Sequence, residues 1–357
     1  MKILFISYFF DPYPGVGAKR VSYWADEILN YGIEPTVITA IEQKGNKPYP
    51  VHYVPNTKRK RKFSLFIKDE GYSWELDQID FFEGNDLPNF DYILISGGPF
   101  MQMGISSYLK GKFKGARVIL DFRDPFGNNP RFLNESFIKK SIKQYFESKF
   151  IKLADKSIVV NPYCKELIRN NEKIEVIENG FDERSLSIEE SNVIDTDFIY
   201  AGKIYDDVSI EPFVNAIIDE KRSFTYFGSN LIKEDFPSEL FQINPPINYV
   251  EVLKKIASSD VGIVFTGGKA FESTTKVFDY IALNKRILIV TEGEPKTGNL
   301  HEITKVYPNV VWAKNNEITI KKAIETLVNM EVKPFDSSIF SRKYSLEQLV
   351  ELIKTVK

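Results

Sequence analysis

Two rhythms of apolar positions alternate along this chain. Lys2 to Phe9 is an almost unbroken apolar run, as in a strand buried on both faces, and Val21, Trp24, Ala25, Ile28 and Leu29 then recur at helical spacing until Gly32 closes the helix. Between them lies the turn DPYPGVGAKR, and EPTVITA supplies the next strand. Strand, glycine-bearing loop, helix and strand predict a parallel βαβ unit with a right-handed crossover. Gly15 and Gly17 let backbone approach a ligand closely, but their spacing is not the G-x-G-x-x-G signature, and a simple tight turn would need no ligand. DYILISGGP and RVILDFRDPFGNNP repeat the pattern of a strand running into a polar loop. NESFIKKSIKQYFESKFIKLADKSIVV predicts an amphipathic helix with Phe137, Ile138, Ile142, Tyr145, Phe146 and Phe150 on its apolar side, leading into the strand SIVV.

After KIEVIENGFDE, which reads as a short strand and a turn at Asn179-Gly180, the segment SLSIEESNVIDT is polar and poorly periodic. The domain linker is therefore placed at residues 183–195. A second alternation follows: DFIYAGKIY as strand and loop, SIEPFVNAI as helix, SFTYFGS as strand, YVEVLKKIASSD as helix and VGIVFT as strand. Helices around ITIKKAIETLVNM and SLEQLVELIKTV finish the chain. The expectation is an α/β protein of two Rossmann-like αβα domains facing each other across a cleft at their strand ends, residues 1–185 and 195–344, with a last helix at about 345–357 packing back on the first domain.

The length of 357 residues agrees with two domains, and a hydrophobic content of 43% suffices for two cores. A net charge of −2 from 47 basic and 49 acidic residues argues against a nucleic-acid binder that relies on a bulk positive field. Cys164 is the single cysteine, which excludes a disulfide framework and a thiolate metal cluster and points to a reducing, cytoplasmic compartment. The apolar start MKILFISYFF is short, ended by Asp11, Pro12 and Pro14 with no small-residue cleavage site, and reads as a first strand rather than a signal peptide. No stretch approaches the roughly 20 apolar residues needed to span a bilayer. The basic run Lys58, Arg59, Lys60, Arg61 and Lys62, with aromatic neighbours, is either a patch for an anionic membrane surface or acidic acceptor, or a solvated loop.

The most informative stretch is STTKVFDYIALNKRILIV. Val277, Tyr280 and Ile281 share one helical face, with Ser273, Thr274 and Thr275 ahead of them as candidate N-caps. Unpaired N–H groups and the positive end of the helix dipole attract anions, and Lys276 adds a full charge in the first turn. Asp279, three residues on, shares the neighbouring surface, so a cation and a carboxylate could touch the phosphate and the ribose of one ligand. An ordinary capped helix with a surface ion pair would satisfy the same residues.

Taken in order, the glycine loop, LDFRDPF, ADKSIVVN, VIENGFD, IYAGKIY, SFTYFG, IASSDVGIVF and TKVFDYIALNKRILIV resemble the glycosyltransferases of the GT-B fold, most closely the retaining family-four group that builds bacterial polysaccharides and glycolipids. The resemblance implies a hexosyl- or N-acetylhexosaminyl-type transferase that takes its donor as a nucleotide-diphosphate sugar and its acceptor as a saccharide, lipid-linked in the favoured reading, at the inner face of the membrane. It implies that Gly202 and Lys203 of AGKIY, with Ser273, Thr274, Thr275 and Lys276, meet the donor phosphates, and that Asp279 stands where the family has a ribose-binding glutamate. Gly15 and Gly17 would approach the same phosphates, while Asp121, Arg123 and Asp124 would border the acceptor and the reacting sugar. Lys203, Lys276 and Asp124 would carry the chemistry, with no metal or other cofactor.

The sequence also departs from that pattern. The first acid of the family's paired-glutamate motif falls on Phe271, with Glu272 adjacent as its possible substitute, and the basic residue expected soon after Lys203 is missing from IYDDVSIEP. Neither His52 nor His301 stands in a segment matching the family's histidine loop. These departures leave two other readings open: a non-catalytic nucleotide-sugar-binding or scaffold protein of the same fold, and a sugar-nucleotide epimerase.

Overall fold

The computed structural model describes residues 1–13, 15–61, 67–132, 135–186, 194–231, 236–237 and 239–356. Lys62 of the basic run and residues 187–193 of the expected linker lie outside them. The chain falls into two compact units, Met1–Asn179 with Arg342–Lys357, and Gly180–Ser341.

The first unit opens with β1 (Lys2–Ser7), α1 (Val16–Glu27), β2 (Glu34–Thr39), β3 (Val51–Tyr53), α2 (Gly71–Gly84) and β4 (Tyr92–Ser96). It continues with α3 (Ser106–Lys112), β5 (Arg117–Arg123), α4 (Phe137–Leu153), β6 (Lys156–Val159), α5 (Pro162–Leu167) and β7 (Ile174–Val176). Its seven strands are parallel in the order β3-β2-β1-β4-β5-β6-β7. Leu4, Phe5 and Ile6 are all fully buried, as expected of a central strand covered on both faces. The helix after β1 begins at Val16 rather than Val21, with Gly15 extended as its cap, so the polar loop is shorter than the sequence suggested. The chain's last helix (Arg342–Thr355) packs against α1, where Trp24 Nε1 donates to Ser345 Oγ at 3.1 Å and Leu346, Leu349 and Ile353 join Val21, Trp24 and Ile28 in one cluster.

One expectation is corrected in this unit. Phe137, Ile138 and Tyr145 do not face the core; α4 buries Glu147, Phe150 and Ile151 instead, because only its second half lies against the unit's interior. Within the basic run Arg59 pairs with Asp77 at 3.1 Å and with Asp80 at 2.5 Å, and Arg61 pairs with Glu75, while Lys58 and Lys60 are exposed. All three acids sit on α2, an element whose clustered apolar residues give no clear period.

The second unit comprises β8 (Thr196–Ala201), α6 (Glu211–Asp219), β9 (Phe224–Phe227), β10 (Phe241–Asn244), α7 (Tyr249–Ala257) and β11 (Ser259–Thr266). α8 (Lys276–Ala282), β12 (Arg286–Thr291), α9 (Gly298–Thr304), β13 (Val310–Lys314) and α10 (Glu317–Val328) follow, and the last helix is α11. Six parallel strands run β10-β9-β8-β11-β12-β13. Side-chain alternation divides the core into two layers: Phe198, Ile263 and Leu288 face α6 and α10, while Ile199, Val264 and Ile289 face α7, α8 and α9. Among the described residues no helix is long and apolar enough to cross a membrane.

Candidate functional site

In the second sheet the chain winds outward in both directions from β8 and β11, so the loops leaving these neighbours diverge and open a crevice at their carboxyl ends. Gly202 directly follows β8, and the loop after β11 delivers Lys276 as the first residue of α8. The Lys276 side chain lies flat across Gly202: a β-carbon there would stand 2.6 Å from its Cε and 2.9 Å from its Nζ. Gly202 has φ +130°, a conformation that L side chains rarely adopt, so the position requires glycine twice over. The ammonium sits 4.9 Å from the centre of the Tyr200 ring, whose hydroxyl donates to the Lys203 carbonyl at 2.7 Å.

Burial pulls the Lys276 ammonium down to about 8, and the charge of Asp279 opposes this only in part. Among the described residues no carboxylate stands within ion-pair distance of it, and neither the Thr274, Thr275 nor Lys276 backbone N–H has a protein acceptor. Thr275 occupies the cap position in helical geometry with no side-chain cap, which corrects the expectation that Ser273, Thr274 or Thr275 would cap α8 through a hydroxyl. The result is a half-buried cation beside three backbone donors that have no anion among the described residues. Asp279 Oδ1 accepts from the Tyr249 hydroxyl at 2.6 Å, which fixes one face of that carboxylate.

Lys203 is exposed, with its Nζ 5.8 Å from the Tyr205 ring, so of the two expected phosphate lysines only Lys276 is held in a shielded position. Phe271 is buried, and the adjacent Glu272 folds back to accept from Thr266 Oγ1 at the end of β11. Its other oxygen would lie 3.3 Å from a β-carbon on Gly267, with Asp207 on the same side, itself 2.6 Å from Lys269. Gly268 meets Gly293 backbone to backbone, and Asn299, whose N–H donates to the Ala270 carbonyl, keeps both side-chain amide atoms buried with no hydrogen-bond partner among the described residues. Tyr200, Tyr249 and Asn299 were not singled out from the sequence. Tyr200 stands just before AGK and could have been; the other two meet the site only through tertiary contacts.

In the first unit the expected residues hold the fold's own backbone. Arg123, at φ +55°, donates to the Gly17 carbonyl at 2.8 Å, to that of Gly97, and to that of Gly98 at 3.4 Å. A β-carbon on Gly17 would lie 2.9 Å from Nη1, so this glycine makes room for the guanidinium. Gly15 is filled over by the Tyr13 ring, whose Cε1 would stand 2.3 Å from an added β-carbon. Asp121 is fully buried, accepts from Ser96 Oγ at 3.0 Å and stands 3.5 Å from Arg20 Nε. Arg20 also donates to the Ile177 and Glu178 carbonyls, and burial, against the pull of Asp121, lowers its guanidinium to about 10. Asp124 is half-buried with a carboxylate that accepts no hydrogen bond among the described residues, and it raises the thiol of buried Cys164, which burial chiefly pushes up to about 12. His52 packs near Phe81 and His301 against Trp312.

Neither a comparison with protein-family models nor one with curated proteins gives a match. Solved structures do match over the whole chain. The catalytic domain of starch synthase IV from Arabidopsis thaliana, bound to ADP and acarbose, has a TM-score of 0.67 at 12% identity, covering 100% of this chain and 99% of its own. A glycosyltransferase from Rickettsia africae reaches 0.63 at 16% identity, covering 99% and 98%. UDP-GlcNAc 2-epimerase from Methanocaldococcus jannaschii reaches 0.62 at 11%, covering 99% of each. The chain has the two-domain α/β fold of GT-B structures, shared by sugar transferases and UDP-GlcNAc epimerases.

Proposed function

We propose that this protein is a glycosyltransferase that moves a sugar from a nucleotide-diphosphate donor to a saccharide acceptor. The observation that carries the reading is Lys276: a shielded ammonium with no ion pair among the described residues, beside three backbone donors without a protein acceptor among them, at the switch point of a doubly wound sheet. A diphosphate satisfies all four groups, and Asp279, oriented by Tyr249, is placed for a ribose hydroxyl. As the bond between the anomeric carbon and the phosphate oxygen breaks, its electron pair passes to the diphosphate. Lys276 and the N–H groups are in place beforehand to stabilise that charge. In a retaining transfer the acceptor oxygen bonds to the anomeric carbon on the same face and its proton passes to the leaving phosphate. That step needs no protein base and, in this reading, no metal. Asp124 is assigned to the sugar side. The acceptor is lipid-linked and the product a bacterial surface glycan.

The test is calorimetric titration of nucleoside diphosphates into wild type and Lys276→Ala, followed by product analysis with nucleotide sugars. Transfer or donor hydrolysis lost on Lys276→Ala supports the reading; unchanged turnover overturns the role of the lysine. The whole-chain similarity to epimerases supports a second reading, which predicts interconversion of the donor with no acceptor present. Binding without turnover of any kind would mark a scaffold.

A further inference from the structure

The segment from Arg131 to Lys152 carries six basic and two acidic residues, and its acids are both occupied. Glu147 is fully buried and accepts from the Phe126 and Gly127 N–H groups at 2.8 Å each, while Glu135 pairs with Lys143 at 2.6 Å. Large apolar side chains nevertheless point outward here: Phe137 is 82% exposed, Ile138 62%, Tyr145 64% and Phe132 58%. Ile138, Ile142, Tyr145, Lys149 and Lys152 fall at helical spacing along one stripe of α4, apolar in its first half and basic in its second. Phe132 lies against a different side of the helix, its ring 4.9 Å from Lys143 Nζ, which also stands 5.6 Å from the ring of buried Phe126. Because β5 runs into the loop before α4 and α4 returns antiparallel to it, the apolar half stands at the carboxyl rim of the first sheet.

We propose that the outer face of α4, with Phe137 at its start, docks on an anionic lipid bilayer. Aromatic and branched side chains enter the headgroup boundary, and Lys149 and Lys152 on the same stripe meet lipid phosphates; the absence of any unoccupied acid on the segment matches that partner. Of the basic run, Arg59 and Arg61 are paired to α2 and so less open to a bilayer. This inference does not depend on the transfer reading.

Full-length protein is sedimented with phosphatidylcholine vesicles with and without phosphatidylglycerol. Wild type binds the anionic vesicles; Phe137→Ser/Ile138→Ser lowers the partition constant about tenfold or more. Lys149→Gln/Lys152→Gln lowers it about fivefold per lysine. Both variants keep the wild-type melting profile because the altered side chains are exposed, and Lys58→Gln/Lys60→Gln leaves binding within twofold or so of wild type. Failure of wild type to bind anionic vesicles overturns the proposal. So does loss of binding only in the Lys58→Gln/Lys60→Gln variant, or a wild-type dimer that the serine variant splits, which would assign the face to a second copy.

Discussion

Replacing Lys276 by methionine should make the protein more stable while removing its affinity for nucleotide. The chain holds this ammonium in a shielded place with no ion pair among the described residues, and the drop from 10.5 to about 8 corresponds to roughly 3 kcal/mol against folding at neutral pH. Methionine keeps the length and apolar stem across Gly202 and the contact with Tyr200 without the charge. The sign follows from proton uptake. The unfolded chain keeps this proton up to about pH 10.5 and the folded chain releases it near 8, so between those values raising the pH favours folding by about 1.4 kcal/mol per pH unit from this group. Urea unfolding followed by circular dichroism, on wild type and Lys276→Met side by side, isolates the effect because other titrations cancel. The variant should lead by up to about 3 kcal/mol near pH 7, and the lead should shrink by about 2 kcal/mol by about pH 9.5. A variant less stable than wild type at neutral pH, or a difference that does not change with pH, would refute the account of Lys276 as an uncompensated cation waiting for an anion.

Other consequences can be checked separately. Nucleoside-diphosphate affinity should fall as the pH rises above about 8, where free Lys276 loses its proton, and calorimetry at two pH values reads this. Gly202→Ala should weaken nucleotide binding at least about tenfold and lower stability by about 1–3 kcal/mol, since the β-carbon meets both an unfavourable φ and the lysine stem. Tyr249→Phe should cost about 1 kcal/mol of nucleotide affinity yet leave inorganic pyrophosphate binding unchanged, because the lost hydrogen bond orients Asp279 and not the phosphate cradle. Asp121→Ala should destabilise by about 3–5 kcal/mol in thermal unfolding, as it strands the buried Arg20 charge.

The double α/β arrangement was legible in the sequence because parallel strands buried on both faces print unbroken apolar runs such as KILFIS and VGIVF, and the helices between them keep their own period. Lys276 and Asp279 could be singled out because both lie in one short local pattern. What could not be read is how Lys276 is isolated, which depends on Gly202 and Tyr200 from a strand far earlier in the chain. The same limit explains α4: periodicity shows that Ile138 and Tyr145 share a side but not whether anything covers it. It also explains Arg59 and Arg61, whose neutralising partners belong to a helix without a clear period. Arg123 carried a signal of chemistry in its motif, yet its five donors are largely directed at backbone carbonyls of its own unit.

The placement of α11 bears on how the protein is made. Leu346, Leu349, Val350 and Ile353 complete the cluster around Val21, Trp24 and Ile28, so the half of the molecule synthesised first is the half finished last. The second unit, continuous from Gly180 to Ser341, can close while synthesis continues; the first must keep an apolar seam beside α1 until α11 has emerged. A product that stops short of Arg342 leaves that seam permanently open, with Trp24 lacking the hydroxyl of Ser345.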